Sequence, residues 1–549
     1  MARFKCLVYK ADGITSRLLN PPRCLAHKTS VFSFSSLGMY ALLLSFFLTS
    51  YFLLPTSRLL FAQGYIYWPE NGIRVNPWGM ASMVSDGKGG AIIFTGRDDS
   101  IFVQRINSDG ELLWNGTHGY YVYGGESGEL YGGAIACSDG RGGAIVAFGI
   151  WSWVTFDDIY AQRVDSLGNI MWGIGGVPVC TADSAEREYT VISDGAGGGI
   201  FAWQDTRHLS IGEGDIYAQR VDSAGNLMWT INGVPVCTTT WHQETPAICS
   251  DGKKGAVITW YEPIIVDVFA QRVDSSGTPE WGTNGKVICA TPNFEGAPTL
   301  SLVDTNSIII AWMDNRNGNY DIYAQRVNLN GDTLWPGGVA ICTAESLQGG
   351  LQVIADGSDG AIILWYDERL NGLYDFYIQR VDGSGIIMWT ANGVPVCIDD
   401  SIQQYPVMIS DGAGGAIIAW VDKRNYGASP QNWDIYAQHI DSSGIARWQI
   451  NGMPICTAPG SQGYYKRLIV PDSAGGAIIG WSAGYGAVGG GYVQRVNDLP
   501  PPPLPEISLS DTFYNFGNVI VGDSAFWEYL VIKNLGHGDL LIDSVISTN

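Results

Sequence analysis

Basic side chains are scarce in this chain: 31 lysines and arginines stand against 53 aspartates and glutamates over 549 residues, a formal net charge of −22. Such a surface repels phosphate backbones, so nucleic acid is not an expected partner. Histidine is scarcer still, with six scattered residues (His27, His118, His208, His242, His439 and His537) and no ligand-like spacing to cysteine, which argues against a zinc site. No glycine-rich phosphate loop, Ser-His-Asp set or Cys-His pair is recognisable. No dense acidic loop offers the convergent oxygens that calcium needs. The sequence therefore predicts no catalytic residue, no metal ligand and no cofactor. Within residues 64–498 no stretch sustains a 3.6-residue apolar period, which leaves no helix to expect there.

Repetition is what the chain has in abundance. One unit, clearest as Ser-Asp-Gly-Ala-Gly-Gly-Ala-Ile-Ile-Ala-Trp at 410–420, Asp-Ile-Tyr-Ala-Gln at 434–438 and Asn-Gly-Met-Pro-Ile-Cys at 451–456, recurs eight times. Its Gln-Arg pair falls at Arg105, Arg163, Arg220, Arg272, Arg326, Arg380, His439 (the one substitution) and Arg495, at spacings of 52 to 59 residues. The elements keep their length while the loops vary. Asp-Gly-x-Gly and Asp-Ser-x-Gly are hairpin signals, because their turns need positive φ. The unit reads as four short antiparallel strands rich in β-branched and aromatic residues, with the fourth carrying the tryptophan (Trp281 in the repeat at 246–281). Four such strands with no room for a helix make a propeller blade, and the fold class is all-β, an eight-bladed β-propeller. A parallel β-solenoid is the alternative, but its coils are shorter and lack alternating tight hairpins.

The ends of the array predict how the ring closes. Tyr65-Ile66-Tyr67-Trp68 and Asn71-Gly72-Ile73 match the end of a repeat whose first three strands are missing, and the array stops at Tyr492–Val496, a third strand without its fourth. An N-terminal strand that completes the last blade would also cover exposed sheet edges.

Four segments follow from this. Residues 1–63 hold a basic stretch and an apolar run, Leu37 to Leu54, before Ala62 and Gln63. They read as a signal peptide, with an uncleaved membrane segment as the alternative. Residues 64–498 are the propeller, 499–505 a stiff proline-rich linker, and 506–549 the start of a further β-domain. Export makes the expected location extracellular or cell-surface, with no membrane contact beyond that first segment, and the expected state monomeric. Six of the ten cysteines share one repeat position (Cys180, Cys237, Cys289, Cys342, Cys397 and Cys456). Equivalent positions on neighbouring blades are too far apart to bridge, so these read as small buried hydrophobes. Cys249 alone is placed as a partner for Cys237.

Two stretches carry resemblances. Val273-Asp274-Ser275-Ser276-Gly277-Thr278-Pro279-Glu280-Trp281, echoed at Trp172, Trp229, Trp389 and Trp448, resembles the Asp-x-x-Gly-x-x-x-Trp docking motif of quinoprotein propellers. That resemblance implies the fold and a tryptophan packed on the next blade. It does not carry the dehydrogenase activity, because the family's adjacent cysteine pair is absent. Phe516-Gly517-Asn518-Val519-Ile520-Val521-Gly522 with Ile532-Lys533-Asn534-Leu535-Gly536 resembles the immunoglobulin-like domains of the Hydin and choice-of-anchor type found on large bacterial surface proteins. About 44 residues are present where such a β-sandwich takes roughly 100. The Ser-Asp-Gly turn differs in spacing from the Asp-box of sialidases, and no arginine triad accompanies it.

Function is expected on the variable loops, those between the second and third strands and those entering the next blade. They carry Trp151, Trp153, Trp241, Tyr320, Tyr374 and Trp433, aromatic residues suited to stacking on sugars or gripping a protein loop. The expected role is an interaction module for an extracellular glycan or protein, serving adhesion or carbohydrate recognition. The alternative is an exported propeller enzyme, glycoside hydrolase or quinoprotein-like, with a divergent site. The repeated third-strand arginine is expected to be buried and paired, Arg326 with Asp314, one such contact per blade and a weaker one at His439. The four Asp-x-Arg steps (Asp205/Arg207, Asp314/Arg316, Asp367/Arg369, Asp422/Arg424) read as turn and ion-pair residues.

Overall fold

The computed structural model describes residues 64–500, apart from 98, 125–128, 153–155, 208–213, 265–266, 292, 371, 426–431 and 485–488, together with Ile507–Leu509 and Ile532–Asn534. Every element in these residues is a strand, and none is a helix long and apolar enough to cross a membrane. The repeats fold into eight antiparallel meanders, each a small sheet. In blade 3, for example, the strands are Glu186–Ser193, Gly199–Asp205, Asp215–Val221 and Val234–Cys237, paired in chain order. The first strands of successive blades are neighbours all the way round, that of blade 8 (Gln462–Pro471) lying beside that of blade 1 (Ser82–Ser85). The chain is an eight-bladed propeller with its first strands around the centre.

The N-terminal clasp is present. Tyr65–Ile66 pairs with Val496 and Asn497, and Ile73–Asn76 pairs with Tyr492 and its neighbours, so blade 8 takes its outer strand from the chain start. The pairing is the same as elsewhere, down to one glutamine. Buried Gln219 accepts the Trp229 amide on Oε1 and donates from Nε2 to the Thr230 carbonyl. Gln494 does the same to the Trp68 amide and the Pro69 carbonyl, from the other end of the chain.

One expectation needs correcting. The tryptophan is not in the fourth strand: in blade 4 that strand is Lys286–Cys289, and Trp281 lies in the connection before it. The docking role implied by the quinoprotein resemblance is nonetheless what the residue does. Trp172, Trp229, Trp281, Trp335 and Trp389 each donate an indole N–H to a turn carbonyl of the following blade at 3.0–3.2 Å, and Trp68 reaches Ser108 of blade 1 at 3.3 Å. Each buried aromatic both fills the interblade core and fixes its register.

The third-strand arginine is buried in blades 1 to 3, half-buried in blades 4, 5, 6 and 8, and paired in all of them, but with a different acid. In blade 3, Arg220 Nε and Nη2 donate to Asp194 Oδ2 at 3.1 and 2.8 Å, while Nη1 reaches the Ser275 carbonyl of blade 4. Asp194 Oδ1 meanwhile accepts the amides of Ala196 and Gly198. Burial alone would raise this carboxyl, yet the Arg220 guanidinium and the two amides outweigh it and hold it below the ordinary carboxylate range. The turn glycine has a packing reason: a Cβ on Gly198 would sit 2.2 Å from the Val221 carbonyl oxygen. Arg326 likewise pairs with Asp304, Ser307 Oγ and the Gly383 carbonyl, not with Asp314. Asp314 lies opposite Asp321 at the far end of the same strand pair, whereas Arg326 lies opposite Ile309. At the one substituted position His439 bridges two carboxylates, Asp411 and Asp498, each at 2.9 Å.

The cysteines Cys137, Cys180, Cys237, Cys249, Cys289, Cys342, Cys397 and Cys456 are all free, so Cys237 and Cys249 are not bridged. Burial pushes their thiols up, Cys456 to about 11, which suits inert core residues rather than nucleophiles. Ile507–Leu509 and Ile532–Asn534 form an antiparallel pair. Residues 1–63, expected to be a signal peptide or membrane segment, and the rest of 506–549, expected to begin an immunoglobulin-like domain, lie outside the described residues.

Candidate functional site

Because each blade is a meander, the connections between second and third strands and those into the next blade open on the same face, and the Asp-Gly turns on the other. Trp151 is the last residue but one of the second strand of blade 2 (Ala144–Ser152); Trp241 precedes the first strand of blade 4; Tyr320, Tyr374 and Trp433 precede the third strands of blades 5, 6 and 7. All five share the loop-bearing face, while Trp153 lies outside the described residues. Trp241 and Tyr374 are exposed, and Trp151, Tyr320 and Trp433 are half-buried.

These rings are spread round the face rather than gathered in one cleft. Tyr320 packs edge-on against Phe294 at 5.2 Å, and Phe294 against Tyr261 at 5.5 Å, making an aromatic run between blades 4 and 5. Tyr374 meets Tyr366 at 4.8 Å, and Trp433 carries Lys423 Nζ at 4.5 Å over its ring. The sequence identified these residue types and the face; it did not show which neighbours stiffen them.

A second feature of this face was missed. The first strand of each of blades 3 to 7 is bulged just past its start, with register shifts at Arg187/Thr190, Glu244/Ala247, Gly296/Thr299, Gly349/Gln352 and Gln404/Val407. The bulged residue is left-handed in each: Glu188 (φ 48°), Thr245 (52°), Ala297 (49°), Gly350 (62°) and Tyr405 (55°). Left-handed backbone at a non-glycine residue costs about 1–2 kcal/mol, more for β-branched threonine. The bulges recur on the innermost strands, so they ring the mouth of the central channel. Around that mouth Arg187 pairs with buried Asp157 at 3.4 Å, Glu188 Oε2 accepts the Thr245 amide at 2.8 Å, and His242 Nε2 donates to Glu244 Oε1 at 2.6 Å. His242 Nδ1 accepts the Gly214 amide, which leaves the Nε2–H tautomer to make that contact.

Deeper in, the Asp-x-Arg steps form a repeated structural node. Arg207 pairs with Asp205, donates to Cys180 Sγ and the Asn232 carbonyl, and stacks 4.0 Å over Tyr217. Arg316, Arg369 and Arg424 stack in the same way on Tyr323, Tyr377 and Tyr436. Two nodes bring Cys, Glu and Asp close together, Cys180/Glu186/Asp205 and Cys289/Glu295/Asp314. Their arginines supply the counter-charge, and burial raises the Glu186 carboxyl to about 9, with the Asp205 and Asp158 carboxylates adding to it. In both nodes the arginine already bonds the aspartate and the cysteine sulfur, so they are read as structure.

The sequence matches no known family model and no curated protein. Among solved structures the chain is similar to oligogalacturonate lyase from Vibrio parahaemolyticus, with 11% identity over 79% of this chain and 93% of that one, at a TM-score of 0.38. It is also similar to an endo-arabinase from Bacteroides thetaiotaomicron, with 12% identity over 46% of this chain and 92% of that one, at 0.27. A protein of unknown function from Dyadobacter fermentans gives 10% identity over 57% and 94%, at 0.36. Likeness at this level identifies no family, and the eight-bladed architecture rests on the strand pairing itself.

Proposed function

We propose that this protein is an exported recognition module that binds an extracellular glycan or protein at the channel mouth of its loop-bearing face. The observation that carries this reading is the bulge. A position that serves only the fold and demands left-handed backbone is best filled by glycine, as at Gly350. Blades 3, 4, 5 and 7 instead put Glu188, Thr245, Ala297 and Tyr405 there, four different side chains held out at the cost of strain. Variable side chains on a constant strained backbone suit a recognition surface, and the exposed Trp241 and Tyr374 widen it. Adhesion or carbohydrate recognition is the use we favour. Propellers of this size also serve as enzymes, so turnover of any bound glycan belongs in the same experiment.

The test is a glycan and matrix-protein binding screen with the wild type, Trp241→Ala and Tyr405→Gly. Replacing Tyr405 by glycine relieves left-handed strain, so stability should hold or rise while affinity falls by about tenfold or more. A ligand bound equally by all three proteins would place recognition elsewhere. Consumption of the ligand would move the reading to the exported enzyme.

A further inference from the structure

Two connections on the loop-bearing face are built on one clamp, although they differ in length. Seven positions separate Asp314 from Asp321 in blade 5, and twelve separate Asp422 from Asp434 in blade 7. In both, the third strand opens on a fully buried aspartate whose two oxygens accept from two asparagines. Asn317 and Asn319 donate to Asp321 Oδ2 and Oδ1 at 2.7 and 2.9 Å, and Asn425 and Asn432 donate to Asp434 Oδ2 and Oδ1 at 2.6 and 3.2 Å. The second asparagine of each pair also ties the connection to the entry of the next blade. Asn319 donates to the Ala344 and Ser346 carbonyls, and Asn432 Oδ1 accepts the Gly460 amide at 3.1 Å.

Between that asparagine and the aspartate stands one aromatic residue, as Asn319-Tyr320-Asp321 and Asn432-Trp433-Asp434. Its carbonyl accepts the amide that opens the next blade's first strand, from Gln348 at 2.8 Å and from Gln462 at 2.7 Å. The latch itself does not call for a ring, because in blade 3 the Gly214 carbonyl accepts the Gln243 amide at 2.8 Å in the same way. Both rings are half-buried, so part of each meets solvent from a backbone fixed on either side. Blade 6 has Leu373 in the place of the second asparagine, so Tyr374 is not held by this clamp.

We propose that Tyr320 and Trp433 are two copies of one sugar-stacking subsite, and that the protein engages a neutral glycan of repeating hexose units at both. This rests on the recognition reading above and gives its ligand class. A ring fixed in advance loses little entropy when the apolar face of a pyranose stacks on it. A formal net charge of −22 opposes chains that carry uronate or sulfate. A repeating glycan offers the same sugar to both rings, and the second contact is then made at high effective concentration.

The experiment titrates the full chain with cellotriose, laminaritriose and mannotriose by calorimetry, and runs it through hydroxyethylcellulose, soluble β-1,3-glucan and galactomannan by affinity electrophoresis. At least one trisaccharide should fill two equivalent sites. Tyr320→Leu and Trp433→Leu, which keep an apolar side chain at a half-buried position, should each reduce the count to one and weaken the matching polysaccharide by about tenfold or more. Both changes together should abolish trisaccharide binding, while Tyr320→Trp and Trp433→Tyr should retain it. A fold defect in the Trp433 variant would appear as a lowered thermal midpoint, and the Tyr320 variant then carries the test. A single site in the wild type, or two sites that survive both leucine changes, overturns this inference and leaves recognition at the channel mouth standing. Failure of all six probes to bind overturns the neutral-glycan assignment, and the wider screen then decides the recognition reading.

Discussion

Glu186→Gln should stabilise this protein, and increasingly so as the pH rises. Glu186 is 1% exposed at the start of the first strand of blade 3, where Gln243, Gln348, Gln403 and Gln462 stand in other blades. Its Oε1 accepts from Ser184 Oγ at 2.7 Å and its Oε2 has no partner. Burial, aided by the Asp205 and Asp158 carboxylates, lifts its carboxyl from 4.5 to about 9. The sign follows from which state holds the proton. Above pH 4.5 the unfolded chain ionises while the folded one stays protonated, so folding stability falls as pH rises and levels off only near pH 9. At about 1.36 kcal/mol per unit, the penalty is about 0.7 kcal/mol at pH 5 and about 4 kcal/mol at pH 7.5, an upper bound if water enters the site. Glutamine removes the titration. Its amide can donate to connection carbonyls, as Gln462 Nε2 does to those of Ala458 and Gly460. Urea unfolding of both proteins at pH 5 and 7.5 should show a gain of about 2–4 kcal/mol at the higher pH and little at the lower. An equal effect at both values, or a loss at pH 7.5, would refute the assignment of a protonated Glu186.

His439 should titrate in the opposite sense. Burial lowers its pKa, but hydrogen bonds and charge from Asp411 and Asp498 outweigh this and raise it from 6.5 to about 9, so its stabilisation is complete below pH 6.5 and lost as pH rises through 9. His439→Arg removes the titration, and thermal midpoints across pH 6–10 should show the wild type losing up to about 3 kcal/mol that the variant keeps; parallel curves would contradict this. The arginine pairs should differ by the burial of their acids. Asp194 is 1% exposed and Asp304 31%, so chemical denaturation should give about 3–5 kcal/mol lost for Arg220→Met and about 1–2 kcal/mol for Arg326→Met. Equal losses would show that the stranded carboxylate is not the cause.

The ring, the strand count and the clasp were legible because they depend on periodicity, turn residues and matching half-repeats, all local signals. The partner of Arg326 was misread for a geometric reason. Alternation along a strand gives the face a side chain takes, but not which end of the antiparallel neighbour it meets. Five residue steps separate Asp314↔Asp321 from Ile309↔Arg326, about 17 Å along the strand. In blade 5 the turn also departs from its pattern: Val303 stands where other repeats have aspartate, Asp304 follows, and Ser307 replaces the glycine and bonds Arg326. The tryptophan reads from sequence as part of the fourth strand, but a glutamine ten residues upstream accepts its amide and holds it in the connection before that strand. The bulges left no local signal at all. Glu188, Thr245 and Tyr405 are poor left-handed residues, and only their recurrence at one place in the fold reveals the backbone they share.

The irregular interface falls one blade earlier than closure alone would suggest. At the join of blade 8 with blade 1 the pattern is intact: Arg495 pairs with Asp472 and reaches the Ser108 carbonyl, as Trp68 does. At the join of blades 7 and 8 it cannot be. In blades 2 to 6 and in blade 8 the arginine and tryptophan both reach a carbonyl in the third-to-fourth-strand turn of the next blade, and in blade 8 itself that turn does not exist because the chain leaves after Asn497. Asp498 takes the carbonyl's place, accepting from Trp448 Nε1 at 2.5 Å and from His439. A carbonyl has become a carboxylate, and the arginine has become a histidine that links it to Asp411. The two changes are one adjustment to a missing turn, and they explain why the single departure from the Gln-Arg column lies in blade 7, beside the break in the chain, and not in the blade that contains the clasp.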